Sequence, residues 1–190
     1  MTVAAADRGR RGLPPIAFDL SRLISRAARR TPTGIDRVEL AYARHLLGTT
    51  VDLCFAASTP WGRLALLPGP GAREFVETVD AVWRGDPVRR MLQHLANRLR
   101  IGPGLRGPGA LYRRLRAAPA RPVYLLASHH HLEQEAAIGR LKERAGARFV
   151  CVIHDLIPIE FPNYVRPGQD RRHRRRMATA AALADAVIVA

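Results

Sequence analysis

The sequence predicts an α/β domain in which helices cover both faces of a doubly wound parallel sheet. Two observations carry this expectation. Five short apolar runs, at 16–20 (IAFDL), 51–57 (VDLCFAA), 123–128 (VYLLAS), 148–153 (RFVCVI) and 185–190 (DAVIVA), show no alternation of apolar and polar residues, as is usual for strands buried on both faces. Segments with helical periodicity lie between them, and strand, helix, strand in succession builds a parallel sheet.

Taken in order, residues 1–13 (MTVAAADRGRRGL) are small, polar and basic without a period, so a disordered basic leader is expected before one domain over 14–190. After the first strand, Ile35, Val38, Tyr42 and Leu46 recur at helical spacing, which predicts an amphipathic helix over 36–47 with that stripe inward. Thr33, followed three residues later by Asp36, forms a capping-box pattern at its start, just after Pro32. Between 58 and 122 the pattern weakens. PGPG (68–71) and IGPGLRGPG (101–109) interrupt two helical segments near 72–83 and 86–100, which predicts an inserted, partly mobile, partly helical region serving either as plain loop or as a lid or partner surface. Ile138 and Leu141 supply the inward stripe of a helix over 132–145, stopped by Gly146. A last helix, over 168–184, is arginine-rich and then alanine-rich.

Composition bounds the function. The chain has 190 residues, 47% hydrophobic and 25% charged, a globular profile that excludes collagen-like and strongly disordered classes. Cys54 and Cys151 lie far apart inside apolar runs, which predicts reduced thiols in a cytoplasmic protein. No apolar run approaches the roughly 18 residues of a membrane span, and the basic start lacks a signal-peptide core. With 31 Lys+Arg against 16 Asp+Glu the formal charge is +15, a field that attracts nucleic acid, anionic lipid or phosphorylated metabolites alike. Nearly all the cation is arginine; Lys142 is the single lysine.

In an open α/β sheet, ligands bind beyond the carboxyl ends of the strands, and two places there carry candidate chemistry. In RTPTGIDRVE (30–39), Thr33 and Gly34 precede a helix whose free N–H groups can receive an anion, Gly34 permits close backbone approach, and Arg37 adds a charged fork. A glycine at a helix start is also ordinary turn chemistry. The second place is HDLIPIEFPNY (154–164), where His154 and Asp155 follow a buried strand. An imidazole there can bond a sugar hydroxyl or move a proton while a carboxylate orients it; equally, the pair can cap local backbone. His129, His130 and His131 end another strand, but no accompanying spacing completes a metal site. There is no GxGxxG, P-loop or GxSxG, so no bound cofactor and no serine hydrolase is expected. Arg171, Arg172, Arg174, Arg175 and Arg176 crowd two helical turns, which reads as a solvated face, a contact to an anionic membrane or nucleic-acid backbone binding; the last is disfavoured by the absence of a nucleic-acid motif and by few aromatics.

Three stretches, TGIDRVELAYARHL (33–46), CVIHDLIPIEFPNYV (151–165) and ALADAVIVA (182–190), together resemble the N-terminal domain of the family-4-type glycosyltransferases. The resemblance implies a Rossmann-like domain, the N-terminal half of a GT-B fold, shaping the acceptor side of an enzyme that moves a sugar from a nucleotide-sugar donor to a glycan or lipid-linked acceptor, usually without a DxD-bound metal. By the same resemblance Thr33 and Gly34 match the loop near the donor phosphates and Arg37 a frequently basic position. His154 matches the histidine that approaches the donor sugar, and Asp155 supports its loop. The family's second domain, with most of the nucleotide pocket and an E-x7-E element, has no counterpart within the chain. The resemblance therefore implies a missing or separately encoded C-terminal domain as partner and little turnover without it; the cysteines and the arginine block add the expectation of a cytoplasmic protein, peripheral on the inner face of the cell membrane where the arginines meet anionic lipid. The alternative class is a non-catalytic basic α/β module that binds an anionic glycan, lipid or protein.

Overall fold

In a computed structural model, which describes residues 13–29, 31–59 and 62–189, the apolar runs form the strands of one sheet. The elements run β1 (Ile16–Asp19), α1 (Ser21–Arg26), α2 (Gly34–Leu47), β2 (Leu53–Ser58), β3 (Leu64–Leu66), α3 (Gly69–Arg84), α4 (Arg89–Arg106), α5 (Gly109–Arg116), β4 (Val123–Leu126), α6 (Glu135–Ala145), β5 (Arg148–Ile153), α7 (Ile157–Glu160), a 3-10 turn (Pro162–Tyr164), α8 (Gln169–Leu183) and β6 (Ala186–Val189). The leader expected at 1–13 lies outside the described residues except for Leu13. Among the described residues no helix is long and apolar enough to cross a membrane.

The sheet order is β3-β2-β1-β4-β5-β6. All neighbours pair in parallel except β3, which runs antiparallel to β2 with Ala56 opposite Leu66. The fold is thus α/β with a mostly parallel, Rossmann-like sheet, and the all-parallel expectation is corrected at one edge. Three residues of β3 follow β2 too closely for the long crossover a parallel return needs.

Successive strand residues feed two cores. Phe18, Leu125 and Val152 join α1 to α4 on one face, while Ala17, Tyr124, Cys151 and Phe149 join α5, α6 and α8 on the other. Side chains alternate across a strand, so burial on both faces leaves no polar register in β1, β4 and β5; the apolar edge strand β6 is instead exposed along its length.

Two expectations are corrected here. The segment at 58–122 is not an insert outside the fold: Phe75, Val76 and Val79 of α3, Leu92, Leu95 and Leu99 of α4, and Leu111 and Leu115 of α5 are all buried in the two cores. Pro68 and Pro70 start α3 rather than break it, because proline's missing N–H costs nothing in a first turn. Gly85 then ends that helix at φ +110°, a left-handed conformation that glycine adopts without a Cβ clash.

The inward face of α2 is also rotated from the expected stripe. Asp36, Glu39, Leu40, Ala43 and Leu46 are buried, whereas Ile35, Val38 and Tyr42 are only half-buried. The helix therefore carries two carboxylates into the interior. The capping box is present as expected: Thr33 Oγ1 accepts from the Asp36 N–H, and the Thr33 N–H donates to Asp36 Oδ2 at 2.8 Å.

Because Leu92 is fully buried, Leu92→Ala is expected to lower the unfolding free energy by about 2–5 kcal/mol in denaturant titrations. A change below about 0.5 kcal/mol, typical of exposed positions, would place α4 outside the core.

Candidate functional site

Strand order reverses between β1 and β4, the point at which a doubly wound sheet opens a crevice at its carboxyl edge. A cleft of about 270 Å³ lies there. Ser21 and Ser25 after β1, Ser58 and Thr59 after β2, and His130, His131 and Gln134 after β4 line it. Glu133, Arg100 of α4 and Arg172 of α8 supply the charged part of the wall, so the segment 58–122 contributes to the site as well as to the core. The lining is already ordered by its own bonds: the Ser58 N–H donates to Ser21 Oγ at 2.6 Å, and Ser58 Oγ lies 3.3 Å from Gln134 Oε1.

Beneath the cleft runs a buried chain of polar groups. The Ser21 N–H donates to Asp19 Oδ1 at 2.9 Å, and the Tyr124 hydroxyl donates to Asp19 Oδ2 at 2.8 Å. With its single proton committed to Asp19, the Tyr124 oxygen can only accept from His131 Nε2, 2.9 Å away. Nε2 is therefore the protonated nitrogen of this bond, and in the Nε2–H tautomer Nδ1 is an acceptor. Nδ1 is buried and has no protein partner. Burial, reinforced by Asp19, pushes the Tyr124 phenol well above its usual pKa, so this hydroxyl stays protonated.

Beside this chain, Glu39 is fully buried. Its Oε1 accepts from the Leu23 N–H at 3.2 Å, while Oε2 and the facing Ser128 Oγ both lack a partner at hydrogen-bond distance. Burial first, then the charge of Asp19, raises the Glu39 pKa to about 8, against the weaker opposing pull of Ser128, Leu23 and Arg22. Glu39 is thus mainly a neutral acid at pH 7, a donor rather than an anion.

Three further histidines pack at the ends of β4 and β5. His129 stands edge-on to His154 and His173, with ring centroids 5.4 and 5.0 Å away. Burial, then the neighbouring His173 and His154, lowers the His129 pKa to about 3, and burial with His131 lowers that of His130 to about 4. Both rings are neutral at physiological pH. Among the described residues no His/Cys/Asp/Glu group is arranged to hold a metal ion.

The residues singled out from the sequence fall in separate places. His154 is at the carboxyl end of β5, but its Nε2 sits 2.8 Å from the Ala127 carbonyl, and its N–H donates to His129 Nε2. Asp155 does not orient that ring: its Oδ1 accepts from the Ile157 N–H, and its carbonyl accepts from His173 Nε2 at 3.0 Å. The Asp155–Ile157 bond is the turn cap of the local alternative, whereas the His154–Ala127 bond reaches across to the end of β4. Thr33 is held by Arg22, whose Nη2 donates to Thr33 Oγ1 at 3.0 Å and whose Nε lies 2.5 Å from Asp36 Oδ1. Burial raises the Asp36 pKa, but the Thr33 and Arg22 bonds outweigh it and hold the acid below its ordinary value. A carboxylate thus already occupies this helix start. A Cβ on Gly34 would meet nothing within 4 Å, so no protein group crowds that position. Arg37 is exposed over the groove between α2 and α3, beside Asp80 and Trp83. The arginine block divides: Arg172 and Arg176 bind Glu133, the latter at 2.8 Å, while Arg171, Arg174 and Arg175 face solvent. Both thiols are pushed up to about 11 by burial, which makes them unreactive.

Sequence reasoning missed Asp19, Glu39 and Tyr124, and placed His131 at a strand end without its bond to Tyr124. The available signals were an acid closing an apolar strand (IAFD) and acids three apart, Asp36 and Glu39, on a helix. Neither reveals which face is buried. No family model, curated protein or solved structure matches the chain.

Two outcomes follow from this geometry. The folded Glu39 pKa lies above its unfolded value of 4.5, so its contribution is complete below pH 4.5 and is lost as pH rises toward 8. Over that window the unfolding free energy carries a falling term of about 1.4 kcal/mol per pH unit, and Glu39→Gln should remove it. His129 and His130, with depressed values, act in the opposite sense below about 6.5, so the comparison is cleanest at pH 6.5–8; identical slopes there for both proteins would contradict the assignment. In the second, Tyr124→Phe removes the bond to Asp19 Oδ2 and the bond to His131 Nε2 and should cost about 1–3 kcal/mol. It should also loosen the His131 tautomer, read by ring ¹⁵N shifts; an unaltered His131 signal would break the proposed chain of bonds.

Proposed function

We propose that the chain is the acceptor-side domain of a nucleotide-sugar-dependent glycosyltransferase, with a glycan or lipid-linked acceptor seated in the cleft. The observation that carries this reading is the cleft's chemistry: four hydroxyl side chains, one amide and the neutral imidazole of His130 at the carboxyl edge of a doubly wound sheet. Hydroxyl and amide groups that both donate and accept match the ring of hydroxyls on a sugar. Support also comes from the resemblance of 33–46, 151–165 and 182–190 to the family-4-type enzymes, which implies a Rossmann-like domain of this kind. Within this reading His131, which lines the cleft and is held by Tyr124, keeps a buried Nδ1 without a protein partner. His154 ties β5 to β4 through Ala127 and offers only its Nδ1.

One observation favours the second reading, a non-catalytic module for an anionic glycan. His154 and Asp155, the pair on which catalysis was expected to rest, both spend their bonds on backbone. Arg100, which bonds the Ile24 carbonyl at 3.2 Å, offers a cation at the cleft wall.

The test is an NMR titration with glucose, galactose and N-acetylglucosamine, followed by their uridine-diphosphate derivatives with the chain alone. Signals of Ser58, Thr59, His130 and Gln134 should move with at least one free sugar, and Gln134→Ala should weaken that binding by about fivefold, as expected for a lost hydrogen bond near 1 kcal/mol. If no sugar disturbs these residues, the saccharide reading fails. Sugar binding without any breakdown of the nucleotide sugars fits both readings; transfer to an added acceptor selects the first.

A further inference from the structure

We propose that α7, the 3-10 turn and the outer face of α8 form a docking surface for an anionic membrane. Apolar side chains collect there in the open. Leu156 is 41% exposed, Ile157 50%, Phe161 53% and Tyr164 84%, and the Phe161 and Tyr164 rings meet edge-on with centroids 6.2 Å apart. This segment contributes no residue to either core. Its conformation is held instead by backbone bonds, Ile159 N–H to Leu156 O at 2.8 Å and Phe161 N–H to Ile157 O at 2.8 Å, and by His173 bonding Asp155. A contiguous apolar patch that the fold does not use marks an interaction surface.

The rim of the patch identifies the occupant. α8 packs on α7, with Arg174 Nη2 3.4 Å from the Ile159 carbonyl. Arg171, Arg174 and Arg175, at i, i+3 and i+4, form one exposed stripe, and exposed Arg166 stands between stripe and turn. Among the described residues none of these four takes part in an ion pair, in contrast to Arg172 and Arg176, which turn to Glu133. Glu160, Asp170 and Asp155, whose Oδ1 accepts from the Ile157 N–H, are the acids at the patch, and four arginines against these three leave the rim net positive. Aliphatic and aromatic side chains beside unpaired arginines match the two layers of a bilayer interface, acyl boundary and anionic headgroups. A second copy fits poorly, because apposing two such patches would bring two arginine rims together. Nucleic acid would leave Leu156 and Ile157 without a stacking role.

The surface follows β5 directly, so it shares the carboxyl edge of the sheet with the cleft, and Arg172 of α8 belongs to the cleft wall. Docking is independent of what the cleft binds.

Co-sedimentation of the full chain with phosphatidylcholine vesicles, with and without phosphatidylglycerol, tests the proposal. Binding is expected only with phosphatidylglycerol. Arg174→Gln with Arg175→Gln should weaken it about thirtyfold, the equivalent of about 2 kcal/mol for two arginines at an anionic surface. Phe161→Ser with Tyr164→Ser should weaken it by at least about tenfold, since both rings are exposed and their loss does not endanger the fold. Phe161→Trp should shift its fluorescence to the blue on phosphatidylglycerol vesicles, which separates insertion from adsorption. Absence of binding to the phosphatidylglycerol vesicles, binding indifferent to the Phe161 and Tyr164 changes, or a Phe161-dependent self-association without lipid would each overturn the proposal.

Discussion

Asp19 ends the central strand with its carboxyl group wholly buried, and the arrangement of the cleft follows from how that acid is satisfied. An unpaired acid in such a place costs several kcal/mol. One oxygen therefore takes the Ser21 N–H, turning the chain out of β1 into α1, and the other takes Tyr124 from the adjoining strand. Tyr124 in turn fixes His131. The strands β1 and β4 are neighbours at the point where the winding reverses, so one buried acid ties together the two loops that frame the cleft. A chain of this kind rigidifies when complete and is expensive when broken.

The same cost explains the different fates of the remaining acids. Asp36 is buried but meets Arg22, Arg26 and the Thr33 amide, and it remains an anion. Glu133 is clasped by Arg172 and Arg176, which offset its burial and hold its pKa below the ordinary value. Glu39 has no guanidinium at bonding distance among the described residues, and keeping its proton is the cheaper solution. In a chain so rich in arginine, the buried acid without a partner is the exception, and it lies beside the cleft. The histidines behave alike. His129 and His130 are held neutral by burial and by one another, which makes the strand-end cluster a set of hydrogen-bonding rings rather than a store of positive charge.

Surplus arginine sits on the outside. Where it edges exposed apolar residues, beyond β5, the surface has the two-part chemistry of a lipid interface; where it faces Glu133, it holds α8 against the loop after β4. One helix thus serves the cleft wall with Arg172 and Arg176 and the solvent face with Arg171, Arg174 and Arg175, because residues four apart share a face and neighbours do not.

The sequence by itself determined the strands at 16–20, 123–128 and 148–153, the helix stop at Gly146 and the capping box at Thr33, since each depends on residues close together in the chain. It also determined that His129 to His131 and His154 follow strands and so reach the carboxyl edge. Only the tertiary structure decided that β3 returns antiparallel, that the Pro/Gly-rich segment packs in the core, and that α2 turns Asp36 and Glu39 inward. A helical pattern fixes the spacing of a face but not its rotation against a partner, and Ile35 and Val38 were outweighed by Leu40, Ala43 and the bonds awaiting the two acids. His154 drew notice because its motif is contiguous. Asp19, Tyr124 and His131, spread over more than a hundred residues, form a unit only once parallel pairing brings β1 beside β4. Local signals are set by local sterics and hydrogen bonds, whereas this site is assembled by contacts between distant strands.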